Sequence, residues 1–360
     1  MARVGARFLV AIVALAAHGC VPDVEEADTL VQGPRVLAIR SEPAELEPRM
    51  QGTFTALYVD ADGTKSEAPL TWSFCQARKP LAELGPVNPV CLLEDPDALA
   101  LPEPDAGEDE EPEPILEEIG EGLEASGRMP STACRYFGPD RPPPMDGEPA
   151  GRPVDPDPTG GYYQPLRLLD SEDGRVALYE ARITCGLPGA GREATVAYNQ
   201  RFAPNGNPVI EELVVTSDDD RPLALSGDEA GDAPTRVRPG DDLALELRWE
   251  RCDPLPACDA EDEEGCEPAP SCDGAESYVY YDPETRGVSA RRESMRVSWF
   301  STAGTFRDAR TGRTEQEADV TDSPNVWTAP DEEGDVTLWV VLRDDRGGVS
   351  WQTYALSVER

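Results

Sequence analysis

Histidine is almost missing from this chain. The single one, His18, falls in a leading segment whose layout marks it for removal, so the remaining chain has none. That excludes a Ser-His-Asp triad, a Cys-His pair and any zinc or copper site that depends on imidazole. Basic residues are scarce too: 32 Lys and Arg stand against 71 Asp and Glu, a net charge of −39 over 360 residues. So acidic a surface repels phosphate backbones. Nucleic acid is therefore excluded as a partner, and anionic membrane surfaces are disfavoured. Long apolar runs are also lacking. The one at the start, Phe8 to Ala17, is shorter than the about 20 residues that a permanent membrane helix needs. No cofactor is expected, and the chemistry left to the chain is that of carboxylates and Lys.

The start is organised as a signal. Arg3 and Arg7 are basic, Phe8 to Ala17 is apolar, and Ala17-His18-Gly19 leads to Cys20, the pattern of a secretory signal peptide over residues 1–19. Ending on Gly19-Cys20, this segment resembles the lipobox of bacterial lipoproteins. The resemblance implies that Cys20 carries a diacylglyceryl group, becomes the new N-terminus and holds the protein to a membrane through lipid. Removing Arg3 and Arg7 leaves 30 basic against 71 acidic residues, a net charge of −41. Val21, and not Asp, follows the cysteine, which by the sorting behaviour of that family implies an outer-membrane lipoprotein, facing periplasm or surface. Residues 20–33 are acidic and aperiodic, and read as a flexible tether.

With Cys20 assigned to lipid, eight of the nine cysteines remain. In an oxidising compartment they make four disulfides. Their spacing forms two groups, Cys75, Cys91, Cys134 and Cys185, then Cys252, Cys258, Cys266 and Cys272. Each group allows three connectivities. Cys75 with Cys91 is the preferred pair, closing a short loop worth about 3 kcal/mol.

Between these marks the chain reads as strands. Arg35–Arg40, Thr53–Val59 and Leu70–Cys75 alternate or run β-rich, separated by Pro, Asp and Gly turns. The signal is lost from about 76 to 161, where Pro and acidic residues dominate, except that Ile115–Leu123 places apolar residues on one face of a short helix. Strands return at Tyr162–Leu169, Arg175–Cys185 and Ala194–Tyr198, and Phe202–Pro208 has linker composition. The fold expected is mainly β: a sandwich over 34–203 with a long acidic, Pro-rich insertion, a linker at 204–208 and a second sandwich over 209–360. In the second half a Trp strand (Met295–Phe300), the run Trp327-Thr328-Ala329-Pro330 and a hairpin closed by Asp344-Asp345-Arg346-Gly347-Gly348 resemble the immunoglobulin-like and PKD-like modules of bacterial surface proteins. That resemblance implies a scaffold and no reaction. Trp72 corresponds to Trp299 as a core tryptophan, whereas Trp351 and the Tyr278-Tyr280-Tyr281 cluster have no evident place inside.

Two chemistries deserve weighing. Asp60-Ala61-Asp62-Gly63 begins like a calcium loop but lacks its later acids and reads as a hairpin turn, while Asp155, Asp157 and Asp218–Asp220 offer oxygens without loop geometry. The stapled excursion from Cys252 to Cys272 holds the calcium candidates Asp259, Glu261, Asp262 and Glu263, although a solvated acidic loop is the simpler reading. A glycosidase needs two carboxylates in one cleft, a condition that 71 acids meet by accident. The function expected is binding or scaffolding at the cell envelope without catalysis, its partner an envelope protein or polysaccharide. The rivals are a carboxylate-based polysaccharide hydrolase and a calcium-dependent adhesin.

Overall fold

The computed structural model describes residues 28–78, 87–95, 114–139, 161–187, 190–217, 222–227, 233–256, 258 and 266–360. The chain is mainly β and builds its sheets around two separate cores. The N-terminal half contributes β1 (Arg35–Glu42), β2 (Glu45–Leu46), β3 (Gln51–Asp60), β4 (Gly63–Thr64), β5 (Leu70–Cys75), β6 (Leu116–Glu121) and β7 (Glu124–Arg128). Helix α1 (Ala133–Phe137), β8 (Gly161–Asp170), β9 (Val176–Thr184) and helix α2 (Arg192–Arg201) complete it. One sheet runs β1-β3-β4 with β7 also on β3; the other runs β2-β9-β8-β5-β6. Between them lie Phe54, Trp72, Phe74, Leu166, Leu168 and Ile183. Trp72 is wholly buried and satisfies its indole N–H on the Gly122 carbonyl at 2.7 Å, as a core tryptophan must.

The C-terminal half comprises β10 (Ile210–Ser217), β11 (Pro222–Leu223), β12 (Ser226–Gly227), β13 (Thr235–Val237), β14 (Asp242–Trp249), β15 (Ser277–Asp282) and β16 (Gly287–Arg292). It continues with β17 (Met295–Ser301), β18 (Thr305–Phe306), β19 (Arg310–Arg313), β20 (Asp322–Thr328), β21 (Gly334–Arg343) and β22 (Val349–Val358). A sheet ordered β11-β10-β14-β20-β18 faces one ordered β12-β22-β21-β17-β19, with β13 beside β22 in parallel. In β14 every second residue is buried: Leu243, Leu245, Leu247 and Trp249 point inward. That is the period-two pattern turned into one apolar face. Trp299 and Trp327 fill the middle of the same core.

The first half departs from the expected plan in several places. The stretch from 76 to 161 contains β6, β7 and α1, so it is not strandless among its described residues. Residues 115–123 form β6 and its turn, not a helix, because Gly120 and Gly122 adopt φ of 155° and 88° and β6 pairs along β5. Its backbone hydrogen bonds outweigh a helical apolar spacing that two glycines already weaken. Residues 194–198, expected as a strand, lie in α2, where Ala194 and Tyr198, four apart, share the buried face. The end of the expected tether is docked: Val31 is buried and donates its N–H to the Ser301 carbonyl at 2.8 Å. Cys20, residues 1–27 and the Pro-rich stretches 101–113 and 140–160 lie outside the described residues.

The halves share a third core. In β3, Phe54, Ala56 and Tyr58 face inward, while Leu57 and Val59 on the opposite face are just as buried. They pack with Leu37, Trp339, Val341 and Val349. Trp339 is fully enclosed and donates to Thr64 Oγ1 at 2.8 Å.

Candidate functional site

Polar groups of the connecting segment 202–208 continue this junction. Phe202-Ala203-Pro204-Asn205-Gly206-Asn207-Pro208 has the composition of a flexible linker, yet Asn205 is buried, its N–H bound to Glu45 Oε2 at 2.9 Å and its amide to Asp344 Oδ2 at 3.2 Å. Asn207 donates to the Ser41 carbonyl at 2.8 Å and accepts from the Val349 N–H at 2.9 Å. Gly348 lets the segment come this close. A Cβ there would meet the Gly206 carbonyl at 2.5 Å.

Beneath the linker sit five buried charges and the half-buried Glu276. Arg182 Nε lies 3.0 Å from Glu45 Oε2. Arg346 reaches Glu293 at 2.6 Å and Glu276 at 2.7 Å, and stacks over the Tyr278 ring at 4.6 Å. Asp344 receives the backbone N–H groups of Arg346 and Gly348, each at 2.8 Å. Burial pushes the Glu293 carboxyl well above its ordinary range, with Arg346 opposing the shift; it also pushes Glu276 and Asp344 up. Burial works against the charge of Arg346, but the three surrounding carboxylates outweigh it and hold the guanidinium protonated.

Beside this network a cleft of about 580 Å³ opens between the halves. Val36–Ile39 of β1 and Ala177–Glu180 of β9 line one side; Arg296, Arg343, Asp344, Asp345 and Gly347–Val349 line the other. The size and the position between two packed bodies suit a small ligand. Tyr179, in the wall, donates to the Gly347 carbonyl at 3.2 Å, and burial raises its pKa.

The cysteines pair as Cys75–Cys91, Cys134–Cys185, Cys252–Cys272 and Cys258–Cys266. The last loop therefore nests inside the third. Asp259, Glu261, Asp262 and Glu263 lie outside the described residues, as do Asp155, Asp157 and Asp218–Asp220; among the described residues no cluster of His, Cys, Asp and Glu is arranged to hold a metal ion. Asp60–Gly63 is the β3–β4 turn. Tyr278 and Tyr281 are buried, Tyr280 lies under the Arg291 guanidinium, and Trp351 packs beneath Arg40 at 5.1 Å. Tyr278 and Tyr281 thus lie inside and Trp351 packs on the shared core. Arg343, Asp344 and Arg346 went unnoticed as site residues because they flank or form an ordinary-looking hairpin turn. Arginine amid so many acids was the available signal.

No family model matches the chain, and no curated protein matches it. Among solved structures it is similar to dimeric latent PorU from Porphyromonas gingivalis (10% identity, 92% of this chain and 24% of that one, TM-score 0.17). It is also similar to Escherichia coli alpha-2-macroglobulin activated by porcine elastase (10%, 91% and 22%, TM-score 0.20). A third is the C-terminal domain of the Streptococcus pyogenes antigen I/II-family protein AspA (10%, 91% and 100%, TM-score 0.21). The chain thus spans about a quarter of the length of the first two. Four disulfides suit an oxidising, extracellular or envelope setting. Among the described residues no helix is long and apolar enough to cross a membrane.

Proposed function

We propose that this is an outer-membrane lipoprotein, anchored through Cys20, whose two tandem immunoglobulin-like sandwiches form one stiff binding or scaffolding body without catalytic activity. The observation that carries the reading is the junction. A flexible tandem would solvate its linker and leave its facing sheets polar; here Leu57, Val59, Trp339 and Val341 form a shared core and the linker is bonded to both halves. Such a body holds a recognition surface at a set distance and angle from its anchor. The signal-type start and the Gly19-Cys20 ending support attachment by lipid, and the high negative charge supports solubility at a crowded surface. The test is the intact mass of the membrane-extracted protein before and after reduction. An N-terminus at an acylated Cys20 and a gain of eight hydrogens are expected from the four disulfides. An unmodified Cys20, or thiols free before reduction, overturns the envelope reading.

A further inference from the structure

The wall of the cleft breaks a local rule of sheet design. Arg296 of β17 stands directly across from Arg343 of β21, and like charges so placed repel. Arg310 of β19 pairs with Ser298, two residues from Arg296 on the same face, and its charge bears on Arg343. Three arginines thus share one sheet face in a chain with 71 acidic residues to balance them. Nevertheless, among the described residues none of the three has a carboxylate partner within ion-pair distance. Arg343 is mostly buried and donates only to neutral groups, Ser298 Oγ at 3.2 Å and the Leu37 carbonyl at 2.9 Å. Burial lowers its pKa, and Arg310 adds to that.

The rest of this sheet face is apolar and already covered. Phe300, Trp339, Val341 and Trp351 pack against β1 and β3, so Arg296 and Arg343 occupy the part left open as the cleft. A largely buried guanidinium with a like-charged residue opposite is an unfavourable arrangement. An incoming oxyanion relieves it, because a guanidinium is a forked, charged donor that matches a carboxylate.

We infer that the cleft between the halves binds a sugar acid, its carboxylate held by Arg296 and Arg343. The other contacts fit that class. Asp345 lines the cleft and receives the Ser294 hydroxyl at 2.9 Å on one carboxylate oxygen; its carboxylate accepts from a sugar hydroxyl. Asp344, also at the wall, is engaged by backbone amides and Asn205. The apolar side chains of β1 and the ring of Tyr163 receive the C–H face of the sugar.

This inference rests on the reading of the chain as a binding protein. It is tested by calorimetric titration of the purified full-length chain at low ionic strength with sodium glucuronate, glucose and glycylglycine. Glucuronate is expected to bind at least about tenfold more tightly than glucose, which lacks the carboxylate, since a charged hydrogen-bonded contact carries about that factor, and more tightly than glycylglycine, a zwitterion with a carboxylate but no sugar hydroxyls. R296E removes an exposed side chain that bonds to no other described residue, so the fold is kept, and it is expected to weaken glucuronate by about tenfold or more. R307E, after β18 on the other sheet, leaves binding unchanged. Absence of glucuronate binding at about 10 mM, tighter binding of glycylglycine, or equal binding by R296E overturns the inference. An acylated chain that ignores glucuronate refutes the sugar acid and leaves the anchor intact, while a glucuronate-binding chain with unmodified Cys20 does the reverse.

Discussion

Replacing Arg346 by Met probes the junction most directly. The guanidinium is nearly enclosed and holds Glu293 at 2.6 Å and Glu276 at 2.7 Å, with Asp344 beside it. Methionine fills similar space and removes the charge. Breaking a buried ion pair from one side costs about 3–5 kcal/mol, because the remaining charge is stranded. With three carboxylates stranded, the expected loss near neutral pH is at the upper end, about 5 kcal/mol. The loss depends on pH with a definite sign. Burial raises the folded-state pKa of Glu293, Glu276 and Asp344, so their contribution to stability falls as pH rises through those values and returns as pH drops. Without Arg346 these pKa values rise further. As pH falls the acids of the variant take up protons, and the loss shrinks toward that of the missing hydrogen bonds, about 1–3 kcal/mol. Urea unfolding followed by tryptophan fluorescence, with disulfides oxidised, measures both conditions. A loss under about 1 kcal/mol at neutral pH, or one no smaller in acid, refutes the reasoning.

Three further outcomes are expected. The unmutated protein gains stability as pH falls from neutrality toward about 4.3, the ordinary carboxylate range; below it Asp173, held low by Arg175, and Glu315, held low by Arg291, lose their contribution. Denaturation midpoints against pH show this, and a maximum at or above pH 7 contradicts it. Trp339→Ala, at a fully buried position, costs about 3–5 kcal/mol and splits the calorimetric transition into two, whereas a single unshifted transition speaks against a shared core. Cys75→Ser with Cys91→Ser opens a loop of separation 16 and lowers stability by about 3 kcal/mol; chemical denaturation reads this directly, and no change removes that disulfide from the account.

Much of the strand content is legible because burial on one face forces period two. Leu243 to Trp249 and Val336 to Arg343 alternate or run apolar wherever a sheet closes on a core, and the structure places β14 and β21 there. Trp72 and Trp299, expected as core tryptophans, are buried, and so are Trp249, Trp327 and Trp339 on neighbouring strand runs. Short segments misled where tertiary hydrogen bonding overrode spacing, as in β6, or where ten residues were too few to separate helix from strand, as in α2.

The sequence by itself determined the β character, the tryptophan cores, the turns and the pool of cysteines available for pairing, since each depends on local chemistry. Tertiary structure alone decided how the cysteines other than Cys75 and Cys91 pair, that Leu57 and Val59 face a second core, and that Arg346 lies among three acids from three separate stretches. It also decided that Arg296 and Arg343 stand opposite one another. Those facts depend on strand register and on which sheet faces meet, and contacts between residues distant along the chain set both.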